Sequence, residues 1–213
     1  VPAVRIDPAG WPFIGVAVVL SLVASALISP AAGVAFLILA ALFLFFFRDP
    51  DRIVTEGDGA VLAPADGRVL VAGAPTVQDF PAERWQQISI FLSPFDVHVN
   101  RMPIAGTVTK VLYHPGRFLP AYRAEAGDVN EYTEVWVDHA GQPVVVRQLV
   151  GILARRVVCR TAEGAQVQAG ERFGVMKFGS RMDVFVPKTA RITVKVGERV
   201  VAAVTVIAAM AQR

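Results

Sequence analysis

The sequence holds a single cysteine, Cys159, among 213 residues, which excludes an internal disulfide and a cysteine-based zinc cluster. Cys159 ends the apolar stretch Val157-Val158-Cys159 and reads as a small buried hydrophobe. Histidine is nearly as scarce. His98, His114 and His139 show no metal-ligand spacing, so no metal site is expected. There is no Gly-x-Ser-x-Gly elbow of the ordinary serine hydrolases. Lys and Arg number 21 against 18 Asp and Glu, a net charge of +3 that suits anionic lipid or phosphate. No basic block or aromatic-basic interleaving points to nucleic acid.

Charge is also missing locally. From Trp11 to Phe47 no residue is charged, whereas charges are frequent from Arg48 onward. Two apolar runs, Trp11 to Ile28 and Ala31 to Phe47, meet at Ser29-Pro30, and each approaches the ~17–25 residues of a membrane-crossing helix. Pro30 interrupts helical hydrogen bonding, so residues 1–47 are expected to form a helical hairpin with a turn at Leu27 to Ala32. A re-entrant hairpin is the alternative to full crossing. Arg5 precedes the first run, and Arg48 and Arg52 follow the second. By the positive-inside rule, both ends and the domain that follows belong on the cytoplasmic side of the cell membrane. Trp11 and Phe45-Phe46-Phe47 stand where interfacial aromatics are expected.

Residues 48–213 read as a mainly β soluble domain, sandwich- or barrel-like. Short β-branched and apolar runs at 67–72, 88–92, 106–112, 133–137, 144–150 and 156–160 are separated by Gly, Pro and Asp. A weak repeat relates Val167-Gln168-Ala169-Gly170-Glu171-Arg172 to Val194-Lys195-Val196-Gly197-Glu198-Arg199. Glycine ahead of a charged pair between strands predicts a tight turn with positive φ. Such strand-turn-strand units resemble the small sandwiches that carry biotin or lipoyl groups, a likeness of architecture and not of chemistry. His139, in Asp138-His139-Ala140-Gly141, reads as an exposed hairpin turn.

Near the C-terminus, Gly179-Ser180 breaks two strand-like runs, a pair that alone signals only a turn. In company it says more. Ala63-Pro64-Ala65-Asp66-Gly67, Ser93-Pro94-Phe95-Asp96-Val97-His98-Val99-Asn100-Arg101 and Phe178-Gly179-Ser180-Arg181 occur in that order after an apolar N-terminal segment. From about Arg48 to the C-terminus the chain resembles the phosphatidylserine decarboxylase family in its shorter bacterial and archaeal form. The resemblance implies self-cleavage between Gly179 and Ser180 into a large chain, 1–179, and a small chain, 180–213. Ser180 would become a pyruvoyl cofactor, whose ketone condenses with the amine of phosphatidylserine and draws off the electrons left as CO₂ departs. Phosphatidylserine in the membrane would be the substrate and phosphatidylethanolamine the product, with a homodimer as the assembly.

The resemblance also assigns roles. Asp66 would be a base or orienting carboxylate for self-cleavage, and His98 an acid or base in decarboxylation or processing. Arg101 and Arg181 are candidate phosphate or carboxylate contacts, with ordinary ion pairs as the alternative, and His114 is a candidate pocket residue. The chain departs from longer members at two positions. They carry a second histidine where this chain has Arg101, and commonly a threonine where it has Arg181. The alternative function is a membrane-anchored adaptor or carrier with a modified lysine. Lys177 follows Met176, but no second methionine follows it, and that reading leaves Asp66 and His98 unexplained.

Overall fold

The computed structural model describes residues 4–152, 157–177 and 180–211. The chain divides into two compact units, Val1–Asp51 and Arg52–Arg213.

In the first unit, uninterrupted apolar sequence forms α1 (Trp11–Leu27) and α2 (Pro30–Phe46). Ser29 caps α2, its Oγ accepting from Ala32 N at 3.2 Å, and Pro30 fills a first-turn position that needs no N–H. The proline that interrupts the apolar run therefore starts the second helix, and the turn shrinks to Ile28-Ser29. The helices are antiparallel: the Phe13 and Phe43 rings lie 5.5 Å apart, and Ser21 Oγ donates to Gly33 O at 2.8 Å. Gly33 permits this approach, since a Cβ there would meet Ser25 Oγ at 1.7 Å. Pro8–Leu27, which adds a 3₁₀ turn ahead of α1, is long and apolar enough to cross a membrane. With 17 residues, α2 spans about 26 Å, short of the ~30 Å hydrocarbon layer. Trp11 and Phe45 are exposed, but Phe46 and Phe47 are buried, so only part of the expected aromatic cluster can face an interface. A ribbon of β1 (Val4–Ile6) and β2 (Arg48–Pro50) joins the two ends of the unit.

The second unit opens with β3 (Ala60–Leu62), β4 (Gly67–Gly73), β5 (Trp85–Leu92) and β6 (Val99–Arg101). There follow β7 (Gly106–His114), the single helical turn α3 (Ala126–Val129), β8 (Tyr132–His139), β9 (Gln142–Val150) and β10 (Val157–Cys159). The last part holds β11 (Gln166–Val167), β12 (Arg172–Met176), β13 (Ser180–Pro187), β14 (Arg191–Ile192), β15 (Arg199–Val200) and β16 (Val206–Ala209). An eight-stranded sheet has the order β11-β7-β8-β9-β13-β5-β4-β15, and β10-β12-β6 and β14-β16-β3 form two smaller sheets. All the strand pairs are antiparallel, so a β-rich domain follows a helical hairpin, as the sequence predicts.

Turn chemistry fixes the register. Ala140 and Gly141 both have positive φ and close the β8–β9 hairpin as a two-residue loop. In the repeat, Gly170 (φ 78°) and Gly197 (φ 88°) take the third position of equivalent turns. In each copy the glutamate that follows accepts from the backbone N–H three residues back, Glu171 from Gln168 at 2.8 Å and Glu198 from Lys195 at 3.0 Å.

The large sheet is buried on both faces. Its inner face presents Ile88, Ile90, Val144, Val146, Met182 and Val184 to residues of the smaller sheets such as Phe173, Met176 and Ile207. Its outer face carries Val145 and Phe185, covered by Val77 and Phe80. On that face Arg147 pairs with Glu134 and with Asp79 (3.0 Å), and its guanidinium lies 4.2 Å from the Tyr132 ring centroid and 4.9 Å from that of Phe80. Burial works against the Arg147 charge, but Glu134, Tyr132 and Asp79 together outweigh it and hold the pKa above its ordinary value. Glu134→Leu removes the main counter-charge from a buried guanidinium, and urea denaturation is expected to report a loss of about 3–5 kcal/mol. A loss under about 1 kcal/mol would mean that Asp79 and the rings suffice.

Candidate active site

Strand β13 lies inside the large sheet, and Ser180 is its first residue, paired with Leu92 of β5 on one side and Val150 of β9 on the other. Strand alternation sends Ser180, Met182 and Val184 inward and Arg181, Asp183 and Phe185 outward. Ser180 is fully buried and its Oγ has no hydrogen-bond partner among the described residues. An unmade hydrogen bond of this kind costs about 1–3 kcal/mol, so the position calls for a reason other than stability.

His98 immediately precedes β6. Its carbonyl accepts from Met176 N at 3.1 Å, extending a ladder in which Val99 faces Val175. Only Lys177 and residues 178 and 179 separate Met176 from Ser180, so the β6–β12 pairing brings His98 to the chain that leads into the serine. The His98 ring is buried, and its Nδ1 lies 2.9 Å from Asp96 O. A carbonyl can only accept, so Nδ1 carries the hydrogen and Nε2 is the basic nitrogen of the neutral ring. Gly179 lies outside the described residues.

Asp66 is engaged elsewhere. Its Oδ1 accepts from Ala202 N at 2.8 Å and its Oδ2 from Arg52 Nη2 at 2.7 Å. Arg68, Phe91 and Arg181 form one row across β4, β5 and β13, which puts Asp66 at the Ser180 end of the sheet. Two strand spacings, about 10 Å, separate the β4 and β13 backbones. Next to Asp66, Gly67 is required by close approach, because a Cβ there would meet Phe91 O at 2.2 Å.

The remaining candidates are scattered. Arg101 is buried on β6, with its backbone N donating to Pro64 O (2.8 Å) and its Nη1 to Gly170 O (3.2 Å). Arg181 points to the outer face and grips Asp183 with two hydrogen bonds of 2.7 and 2.8 Å. Burial opposes its charge, yet Asp183 and Asp128 hold its pKa above the ordinary arginine value. His114 stacks on Tyr132 at 4.4 Å, at the same end of the sheet but three strands from Ser180, about 14 Å. His139 ends β8, its Nδ1 2.8 Å from Ala105 O. Burial pushes the Cys159 thiol up, which keeps it protonated and a poor nucleophile.

Asp96 belongs to the motif at residues 93–101, but the sequence assigns it no role. The structure makes it the brace of the turn between β5 and His98. Its Oδ2 accepts from Ser93 N (2.8 Å) and Ser93 Oγ (2.7 Å), and its Oδ1 from Arg199 Nη2 (2.6 Å). The Ser-x-x-Asp spacing carried that signal. Asn100 and Gln148, to which the sequence also assigns no role, form a buried side-chain pair on the inner face.

A family model described as phosphatidylserine decarboxylase matches residues 39–208. Among curated relatives, the phosphatidylserine decarboxylase proenzyme of Desulfotalea psychrophila is 39% identical over 207 residues, covering 97% of each chain. That of Symbiobacterium thermophilum is 43% identical and covers 95% of this chain and 94% of its own. That of Magnetococcus marinus is 44% identical, with 92% and 91% covered.

Asp96→Ala removes three hydrogen bonds from the turn that leads to His98. We expect urea denaturation to register a loss of about 1–3 kcal/mol, and an unchanged midpoint would show that the turn holds its shape without the carboxylate.

Proposed function

The chain belongs to the phosphatidylserine decarboxylase family, and on that premise we propose that it converts phosphatidylserine to phosphatidylethanolamine and CO₂ after cutting itself between Gly179 and Ser180. The observation that carries this reading is the buried Ser180 hydroxyl without a partner among the described residues, at the start of β13 and four residues after Met176, whose backbone N donates to His98 O. The word proenzyme in the names of the relatives agrees with processing.

Ser180 Oγ attacks the Gly179 carbonyl carbon. The O–C bond forms, the C–N bond breaks, and the hydroxyl proton passes to the freed nitrogen. Loss of the Cα proton at 180 then expels Oγ as part of a Gly179 carboxylate and leaves dehydroalanine. Tautomerisation gives an imine, and water converts it to a ketone with release of ammonia. Serine is required because one oxygen serves as nucleophile and then as leaving group.

The surroundings suit the pyruvoyl group so formed. A buried position lined by Leu92, Val150 and Met182 excludes water from a reactive ketone. That ketone supplies an electron sink as the substrate loses CO₂. His98 Nε2 takes the hydroxyl proton of Ser180 during cutting or returns a proton to the substrate Cα afterwards. Asp66, tied to Arg52, holds the Ala63–Gly67 turn against Ala202 and acts on the site through that turn.

The substrate is a lipid, and several features agree with a membrane source. The chain running on from Leu92 and from Val150, the two neighbours of Ser180, carries the exposed side chains of Phe95 and Ile152. The apolar hairpin supports residence at the cell membrane, and Arg5, Arg48 and Arg52 support a cytoplasmic site.

Intact mass and release of CO₂ from carboxyl-labelled phosphatidylserine test this reading. The parent is expected as fragments 1–179 and 180–213, the latter without an N-terminal amine, and Ser180→Ala as one inactive chain. A single uncut parent chain that still released CO₂ would sink the mechanism. His98→Gln is expected to lower either cutting or CO₂ release by about 10²–10⁴-fold. Full retention of both would deny the ring an acid-base role.

A further inference from the structure

Among the described residues, Ser180 Oγ, Gln148 Oε1 and Asn100 Nδ2 belong to fully buried residues on the inner side of the large sheet and have no hydrogen-bond partner. Gln148 on β9 faces Met182 on β13, and Ser180 precedes Met182 by two residues. The serine and the glutamine are therefore diagonal neighbours on one face, a separation of about 7–8 Å that a long side chain can span.

The orientation of the amide follows from its other partners. Gln148 Nε2 donates to Asn100 Oδ1 at 2.8 Å and approaches the Val158 carbonyl at 3.4 Å. A carbonyl accepts only, so the nitrogen belongs on that side and the oxygen is left for another donor. Gly174 gives the amide its space, since a Cβ there would meet Gln148 Nε2 at 2.4 Å. Val144 and Val146, neighbours of Gln148 on the same strand and face, are apolar. A leucine or methionine at 148 would avoid the penalty of about 1–3 kcal/mol for an unpaired carbonyl oxygen. A buried amide retained at that cost beside an unpaired hydroxyl has its explanation in the reaction and not in the packing.

The geometry points to Gln148 as a positioning residue for self-cleavage: before attack its Oε1 accepts a hydrogen bond from the Ser180 hydroxyl and so fixes the direction of the Oγ lone pairs, while Asn100 holds the amide in that orientation. As Oγ bonds to carbon, the proton leaves for His98 Nε2 or the departing nitrogen. This inference rests on Ser180 being the attacking group. Gln148 takes no proton and forms no covalent bond.

The test follows the rate at which freshly synthesised full-length chain is cut, read by mass and gel, together with thermal melting. Gln148→Met is expected to cut about tenfold or more slowly. Gln148→Glu, which burial keeps protonated so that its O–H donates to Asn100 Oδ1 while its carbonyl oxygen stays in place, is expected to restore cutting to within about threefold of the parent. Val146→Ala, a packing change on the same strand and face, should melt earlier and cut at the parental rate. Hydroxylamine cleaves an accumulated ester. It should leave Gln148→Met uncut, because the missing step is formation of that ester. Parental-rate cutting by a folded Gln148→Met would overturn the inference, as would hydroxylamine-dependent cutting of it. Should Gln148→Met lack a cooperative melt, the same criteria apply to Asn100→Leu. A parent that never cuts would instead be a failure of the proposed function.

Discussion

The rest of the structure depends on the way β13 is held. It is bonded to β5 from Ser180 to Pro187 and to β9 from Ser180 to Phe185, and core lies on both of its faces. A strand gripped on four sides has very little freedom, and its first residue inherits that rigidity. Side chains needed for chemistry are best carried on such an element. Ser180 thus has a fixed backbone at the very point where the fully paired ladder begins.

Around that strand, ionic groups serve mainly as braces. Asp66 joins two loops that lie far apart in sequence, Asp96 shapes the turn before His98, and Asp183 neutralises Arg181 within the sheet. Each carboxylate has charge-assisted partners, which is what makes burial of a charge tolerable. On the inner side of the sheet two neutral polar side chains, Asn100 and Gln148, are joined to one another.

Much of this was legible in the sequence, and the reasons for the rest are physical. Six runs of alternating or continuous apolar residues announced β4, β5, β7, β8, β9 and β10, because strands of that kind bury at least one face. Gly170 and Gly197 announced positive φ. Strands of two residues, such as β14 and β15, have no period to detect, so the edges of the sheets were invisible. The motif around Ser180 gave the serine its role only through family resemblance. Nothing local could reveal that Asp66 would bind Arg52 and Ala202, or that Gln148 would meet Asn100 across a gap of 48 residues. Those pairings exist only once the sheets have stacked.

The course of the chain after Ser180 has a consequence for refolding. It supplies β13 to the interior of the large sheet, β15 to that sheet's edge, and β14 and β16 to a separate sheet with β3. A chain opened just before Ser180 would thus remain one body, its two pieces laced through shared ladders with no covalent link. Folding of the intact chain is unimolecular, but reassembly of separated pieces would require a concentration-dependent encounter between them. Maturation would then convert a reversible fold into one that, once lost, dilution alone does not restore.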